Sequence, residues 1–582
     1  MTVDFFSILG REAQPVTPIN GRLPAALEWT DIAAHSLLAL SGHGKSLVLL
    51  GDAGFVIGTL FHRHGPAEPV YALELKDVEA ITATNGQHLV DRFWGAYIAV
   101  IRKQDRLIVL RDPSGTLPCY YVASGEQLLL ASNPSFFSIA TGKTHDIDWP
   151  QLARALALGD LSEESTALAT VRQLLPGMSL QIRKAEIASE MPWNPWTFAC
   201  DPTHRSLEDG AEVLHRVTQC CVGGWGKLGR HVLLGVSGGL DSSIVAACLR
   251  ASARDFACVT LKTDDPLGDE RVYSRALSSH IGQPLFEESY GLEDVDLDRS
   301  SVSHLPRPFG RPEARAYDAA LVRVAKQINA DSIFTGNGGD NVFYMSRSAR
   351  PLADLFSANG LSLGLLRTTR DISKLTGSNS ANVIWHGLQA WRRAARGYAW
   401  KIEPRFLSDS VVRALTSGPV YHPWLEQPEG FSLPAKAAQI AMLIRMHHSL
   451  DAYREREGIS VFHPLASQPL LEACLRIPSW HQCDQGVDRA VARRAFRSSL
   501  PDVVVNRRSK GGPQGFSFQV FHRFRRGIME RLLDGRLAHE GIIDRNSVHA
   551  AFSLDGRTSA MDVARLLMLV DAEAWVGHWR PR

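Results

Sequence analysis

The chain has 582 residues, enough at roughly 150 per domain for several domains and a large core. Hydrophobic residues make up 45% and charged residues 21%, and 63 Lys+Arg stand against 61 Asp+Glu. That balance argues against a nucleic-acid binder running on bulk charge, so any anion site has to be local. No window approaches about 18 uncharged apolar residues, which excludes a helical membrane span. The start, MTVDFFSILG, carries Asp4 and no basic segment ahead of an apolar one, so no secretory signal is expected. The eight cysteines are scattered with no CxxC pair, and His481/Cys483 and His447/His448 lack zinc spacing. A reducing, cytoplasmic setting is the expectation.

Residues 1–200 read as β-rich. Strand-like runs recur at 46–50, 96–101, 106–111 and 127–132, separated by turn residues such as Asp112-Pro113-Ser114-Gly115. The Pro- and Trp-rich stretch 192–204 has no period and reads as a crossover between domains. From 206 onward the pattern changes. Helices are expected over 207–222, 242–251, 270–282 and 318–330, alternating with strands at 231–236, 256–261 and 332–336. Such alternation predicts a parallel, doubly wound sheet, with a mainly helical chain beyond about 345.

The strongest chemical signal is Gly235-Val236-Ser237-Gly238-Gly239-Leu240-Asp241-Ser242-Ser243, between an expected strand and an expected helix. Ligands bind at the carboxyl ends of such strands, and the helix start offers unpaired N–H groups to an anion. Gly238 and Gly239 let backbone approach phosphate oxygens, and Ser237, Ser242 and Ser243 add hydroxyls. Asp241 is repelled by phosphate alone, which makes sense if it holds Mg²⁺ between them. The string is not a Walker loop. The decoy Gly44-Lys45-Ser46 lacks the first glycine, because Ala39 stands there. A second string, Thr335-Gly336-Asn337-Gly338-Gly339-Asp340-Asn341, also follows an expected strand and places Asp340 as a second carboxylate for Mg²⁺.

SGGLDSS at 237–243 with TGNGGDN at 335–341 resembles the asparagine synthetase family. GAYIAV at 95–100, RDPSGTLPCYY at 111–121, LLLAS at 128–132 and LLPGMSLQI at 174–182 resemble its glutaminase domain and domain junction. The resemblance implies an α/β multidomain protein. Residues 1–200 are expected as an Ntn-hydrolase-like, glutaminase-like αββα domain. Residues 206–582 are expected as an adenine-nucleotide α-hydrolase-like (PP-loop ATP pyrophosphatase) synthetase domain, a doubly wound parallel sheet with helical additions. ATP and Mg²⁺ are implied. Gly235, Leu261, Thr335 and Gly336 join the loop residues in holding the nucleotide, and Asp241 and Asp340 hold the metal. Lys510, in Arg507-Arg508-Ser509-Lys510-Gly511-Gly512, is similar to the family's catalytic lysine. Arg347 and Arg350 are weaker candidates for pyrophosphate.

The departures bear on the substrate. The family's glutaminase nucleophile is a cysteine at position 2, where this chain has Thr2. No clear glutamine-binding motif stands between 50 and 95, so the first domain is expected to be a relic. Asn337 stands where asparagine synthetases carry Glu, and Ser460, Phe462 and Ser467 replace the Glu, Arg and Asp of their aspartate-binding stretch. Relatives without the cysteine include β-lactam synthetases and lasso-peptide macrolactam synthetases. The length and expanded middle are most like the latter, implying a precursor-peptide substrate and a leader-peptidase partner. Asparagine synthesis from free ammonia and a small-molecule cyclase are the alternatives. Trp385, Trp391, Trp400, Arg392, Arg393, Arg396 and Lys401 suit a wide peptide groove, and equally an amphipathic helix with a solvated basic face and a Trp core stripe.

Overall fold

A computed structural model of the chain describes residues 3–11, 27–30, 32, 36–41, 46–103, 106–184, 186–203, 206–262, 268–416, 420–452, 455–456, 458–508, 511–512, 514–553 and 558–580. Lys510, Ser509, Thr2 and the Gly44-Lys45 pair lie outside the described residues.

Two antiparallel sheets form the first part. One has six strands, in the order 172–173, 120–124, 127–131, 5–10, 36–40 and 28–30. The other has seven and runs 186–190, 179–183, 106–111, 93–103, 54–62 and 47–49, with 69–70 paired to 54–62. Period-two alternation sends Leu107 and Val109 into a core between the sheets with Phe5, Phe55 and Ile98. Ile108 and Leu110 face the other way, into a larger core shared with the rest of the molecule. Both faces are buried, so the strands read as continuous apolar runs rather than alternation. Helices Ser135–Thr141 and Trp149–Leu158 cover the outside of the six-stranded sheet, with Phe137 and Leu156 packed over Ile8 and Leu129.

The second part is built on a six-stranded sheet, in the order 285–289, 256–262, 232–235, 332–334, 459–462 and 455–456, parallel except for its last pair. Leu233, Val259 and Ile333 fill one face, Val232, Leu234 and Phe334 the other. Helices Leu207–Gly226, Leu240–Ala251, Arg271–Ile281 and Ala314–Gln327 flank it. The expected helix 318–330 thus begins and ends earlier than its apolar period suggested. The stretch 192–204 contains a helical turn, Pro195–Ala199, whose Trp196 indole donates to the Trp424 carbonyl at 2.9 Å. The strand Ile459–Phe462 lies inside the chain expected to be mainly helical. It enters the sheet by pairing with Ser332–Phe334, far away in sequence, and with 455–456 on its other side. Among the described residues, no helix is long and apolar enough to cross a membrane.

Candidate active site

The first loop leaves the sheet at Gly235 and enters the helix Leu240–Ala251. Gly238 sits at φ +60°, and a Cβ there would lie 2.2 Å from the Cβ of Tyr273, so both conformation and space demand glycine. Gly239 is the N-cap and supplies no side-chain acceptor, which leaves the first-turn amides to whatever enters from the sheet's carboxyl edge. Ser237 Oγ accepts the Gly239 amide at 3.3 Å. Ser243 is fully buried and donates to the Gly239 carbonyl at 2.8 Å, so its hydroxyl braces the helix start.

The second loop is laid directly on the first. A Cβ on Gly336 would lie 2.5 Å from the Ser242 nitrogen, and one on Gly339 would lie 2.5 Å from the Cβ and Cγ of Asp241. This contact brings the carboxylates of Asp241 and Asp340 to one cation, Arg489. Its Nη1 donates to both oxygens of Asp241 at 3.0 Å and to Asp340 Oδ1 at 2.5 Å. Arg489 precedes the helix Ala490–Ala495 in a left-handed conformation, φ 51° and ψ 38°, which a side chain of its size adopts at a cost. Asp488 Oδ1 accepts from Arg489 Nε and Arg493 Nη2, both at 3.0 Å. Burial pushes the Asp488 carboxyl up, but the two guanidiniums outweigh it and hold it below its ordinary value. Burial likewise pulls Arg489 down, and Asp241, Asp340 and Asp488 together raise it.

These groups line a cleft of about 540 Å³. Gly235, Ser237, Gly239, Asp241, Ser242, Leu261, Thr335 and Gly336 face it, as expected, and so does Asn337. Gly238 and Ser243 do not, and act through backbone conformation and helix bracing. Asp340 stands behind Asp241 and meets the cleft through Arg489. Its lining includes the apolar side chains of Val259, Leu261, Leu321, Ile333 and Val461, which belong to one cluster, and the cations Arg347, Arg489, Arg493, Arg507 and Arg508. Apolar surface suits a flat base, and guanidiniums suit a polyphosphate. The donor set also suits magnesium, because two carboxylates already converge on one positive centre next to a phosphate-sized space.

Sequence reading missed Asp488, Arg489, Arg493, Glu270 and Tyr273. Arg507 lies over the Tyr273 ring at 3.9 Å, donates to the Ser237 carbonyl at 3.0 Å and pairs with Glu270 at 2.5 Å. Glu270 also accepts the Gly511 amide at 3.1 Å. Arg507 is thereby tied to the first loop and Gly511 to Glu270, and Arg508, Gly511 and Gly512 stand on the cleft wall. The basic string GVDRAVARRAF was the one available signal for Arg489, and it looks like any solvated helix face.

The Asparagine synthase family model matches residues 230–577, more than half of the chain. The chain belongs to the asparagine synthase family. It is an ATP-dependent, amide-forming ligase of the asparagine-synthetase-like type. A Glutamine amidotransferase domain model matches residues 77–194, which gives an Ntn-hydrolase-like first part ahead of the parallel-sheet synthetase part, an α/β multidomain fold. No curated protein matches the chain. Among solved structures, the chain is similar to a glutamine phosphoribosylpyrophosphate amidotransferase from B. subtilis complexed with ADP and GMP. Identity is 12% over 57% of this chain and 84% of that one, with a TM-score of 0.20. A structure described as the allosteric regulatory enzyme of purine biosynthesis is similar at 11% identity over 57% and 89%, also at 0.20.

The aspartate-binding stretch of asparagine synthetases is spent differently here. Phe462 is buried, with its ring 5.5 Å from Trp225 and 5.2 Å from Phe334. Ser467 accepts the Trp225 indole N–H at 2.8 Å and donates to the Pro464 carbonyl at 2.7 Å. Ser460 pairs with Ser332 in the sheet. Among the groove candidates, Trp400 is buried, its indole donating to the Leu158 carbonyl at 2.9 Å under Arg445, so it belongs to the core. Trp385 and Trp391 are exposed, and Trp391 meets Phe356 edge-on at 5.2 Å. Arg392, Arg396 and Lys401 are exposed, and of the basic candidates Arg393 lines a groove.

Proposed function

We propose that this enzyme closes a macrolactam in a ribosomally made peptide, as lasso-peptide cyclases do, with residues 1–200 as a structural half and 206–582 as the synthetase half. The observation that carries the reading is the pair Asp241 and Asp340 on Arg489, beside a cleft lined by both apolar side chains and guanidiniums. The burial of Phe462 and Ser467, at positions where aspartate-using relatives bear Arg and Asp, supports a substrate other than free aspartate.

ATP lies with its base against Leu261 and Ile333 and its phosphates at the SGGLDSS amides. Asp241 and Asp340 would hold Mg²⁺, which would supply charge neutralisation when bound. An Asp or Glu side-chain oxygen of the peptide attacks the α-phosphorus, the bond to the β-phosphate oxygen breaks, and pyrophosphate leaves. The arginines of the cleft hold the leaving group. The peptide's N-terminal amine then attacks the acyl carbon, AMP departs and the amine's proton is lost to solvent or a base. Lys510 is placed by the resemblance as the cation that stabilises the charge developing on phosphate and acyl oxygens. Holding both ends of one peptide converts ring closure to a near-unimolecular step. A leader-removing protease of the same cytoplasmic pathway supplies the free amine, and no nucleic acid or membrane takes part.

The test incubates the enzyme with ATP, Mg²⁺ and a peptide bearing a free N-terminus and a Glu or Asp several residues on. Loss of one water from the peptide, with AMP formed in equal amount, is expected and is abolished in Asp241→Ala. Asparagine formed from aspartate and ammonium without peptide would overturn it.

A further inference from the structure

A second groove of about 750 Å³ neighbours the nucleotide cleft, and Arg347 lines both. Its walls are the helices Arg350–Asn359, Leu363–Thr376 and Ser380–Ala394. The first and third cross closely, because a Cβ on Gly387 would lie 3.0 Å from Leu352 Cδ2. Trp391 on Phe356 fastens the same crossing. Buried Val383 contributes to the floor, while Arg347, Arg350, Arg393 and His386 stand exposed at the rim. Among the described residues, no Asp or Glu lines the groove, and none of these three guanidiniums pairs with a carboxylate. Arg350 instead rests 6.0 Å from the centre of the Tyr398 ring. Asp354, on the same helix as Arg350, is buried and committed to the amides of Ala435 and Lys436 and the Ser479 hydroxyl. The acid on this helix has gone to folding, and the bases are left facing outward.

An acid-free cationic rim over an apolar floor, sharing Arg347 with the neighbouring cleft, is complementary to an extended chain bearing more than one carboxylate. We infer that this groove is the subsite for an acidic segment of the peptide substrate, with one carboxylate delivered past Arg347 to the nucleotide and others held by Arg350 and Arg393. The inference rests on the peptide-cyclase reading for its substrate, but not for its binding chemistry. Guanidinium forks suit carboxylates bidentately, and alternate side chains of an extended peptide rest on the floor.

The probe is a twelve-residue Glu-rich peptide labelled with a neutral fluorophore, its Glu-to-Gln counterpart serving as control. Binding is followed by anisotropy with and without ATP. The acidic peptide is expected to bind wild type roughly tenfold more tightly than the control, with a preference that shrinks as salt rises. Arg350→Gln/Arg393→Gln should lose that preference, while Arg350→Lys/Arg393→Lys retains most of it. ATP affinity should be the same in all three, which separates a carboxylate subsite from a pyrophosphate site. Equal binding of both peptides by wild type, or an undiminished preference in the Gln variant, would overturn the inference. Selective binding without any ring closure would leave the groove standing and remove the cyclase reading. Ring closure insensitive to the Gln pair would do the reverse.

Discussion

Glu472 and Asp241 are both buried carboxylates facing arginine, yet they do opposite work. Glu472, 1% exposed, receives the Trp193 indole at 3.0 Å, the Gln468 amide at 2.9 Å and the Arg63 guanidinium, and so joins the antiparallel sheets to the synthetase sheet. Asp241, 8% exposed, shares Arg489 with Asp340 and opens on a 540 Å³ cleft. Where protein donors surround a carboxylate, it holds the fold together. Where two carboxylates converge beside open space, a ligand can reach them. The junction shows the same contrast in volume. The cavity between the halves, lined by Val3, Thr59, Trp225 and His463, holds about 40 Å³.

The sharpest way to break the comparison is to push the two loops apart without touching a charge. Gly336→Val places carbon atoms against the Ser242 backbone. ATP–pyrophosphate exchange, measured well below the melting temperature, should fall by about 100-fold or more, with a modest loss of stability from the forced backbone shift. Retained exchange would mean that loop contact does not set the site. Next in size is Glu472→Ala. It strands Arg63 and the Trp193 indole and should cost about 3 kcal/mol of stability in chemical denaturation, while ATP binding at low temperature stays intact. A loss of nucleotide affinity matching the loss of stability would erase the distinction between the two carboxylates.

The smallest effect is in pH. Burial pushes His422 down to about 3 and His447 and His448 well below the ordinary histidine value. A base depressed in the fold gives stability that is present above about 6.5 and lost as pH falls from there. Asp112, pushed up to about 6 by burial, opposes this, since its contribution is regained as pH drops through that value. Melting followed from pH 7 to 5 should show a net fall on the order of 1 kcal/mol, flatter in His447→Gln, which removes one of the depressed groups. The same pH slope in wild type and His447→Gln would show that His447 carries no linkage.

Much of this molecule was written locally. The SGGLDSS and TGNGGDN strings fixed a strand–loop–helix twice over, because glycine conformations and the following apolar period depend on near neighbours. RLIVLR at 106–111 became a strand with those bounds. Those strings also named the loops that face the cleft. Other features depended on distant chain. Ile459–Phe462 is drawn into the parallel sheet by Ser332–Phe334. Trp400 turned inward because the Leu158 carbonyl was there to receive it. Arg489 became the cation between Asp241 and Asp340 through contacts spanning 248 and 149 positions. A guanidinium on a short helix carries no mark of the carboxylates it will meet. The sequence by itself settled the family and the parallel strand–helix alternation around the two loops, and it pointed to those loops as the place for an anion. Tertiary structure alone decided which charges face one another, because Coulomb pairing depends on distance in space and that is set by packing.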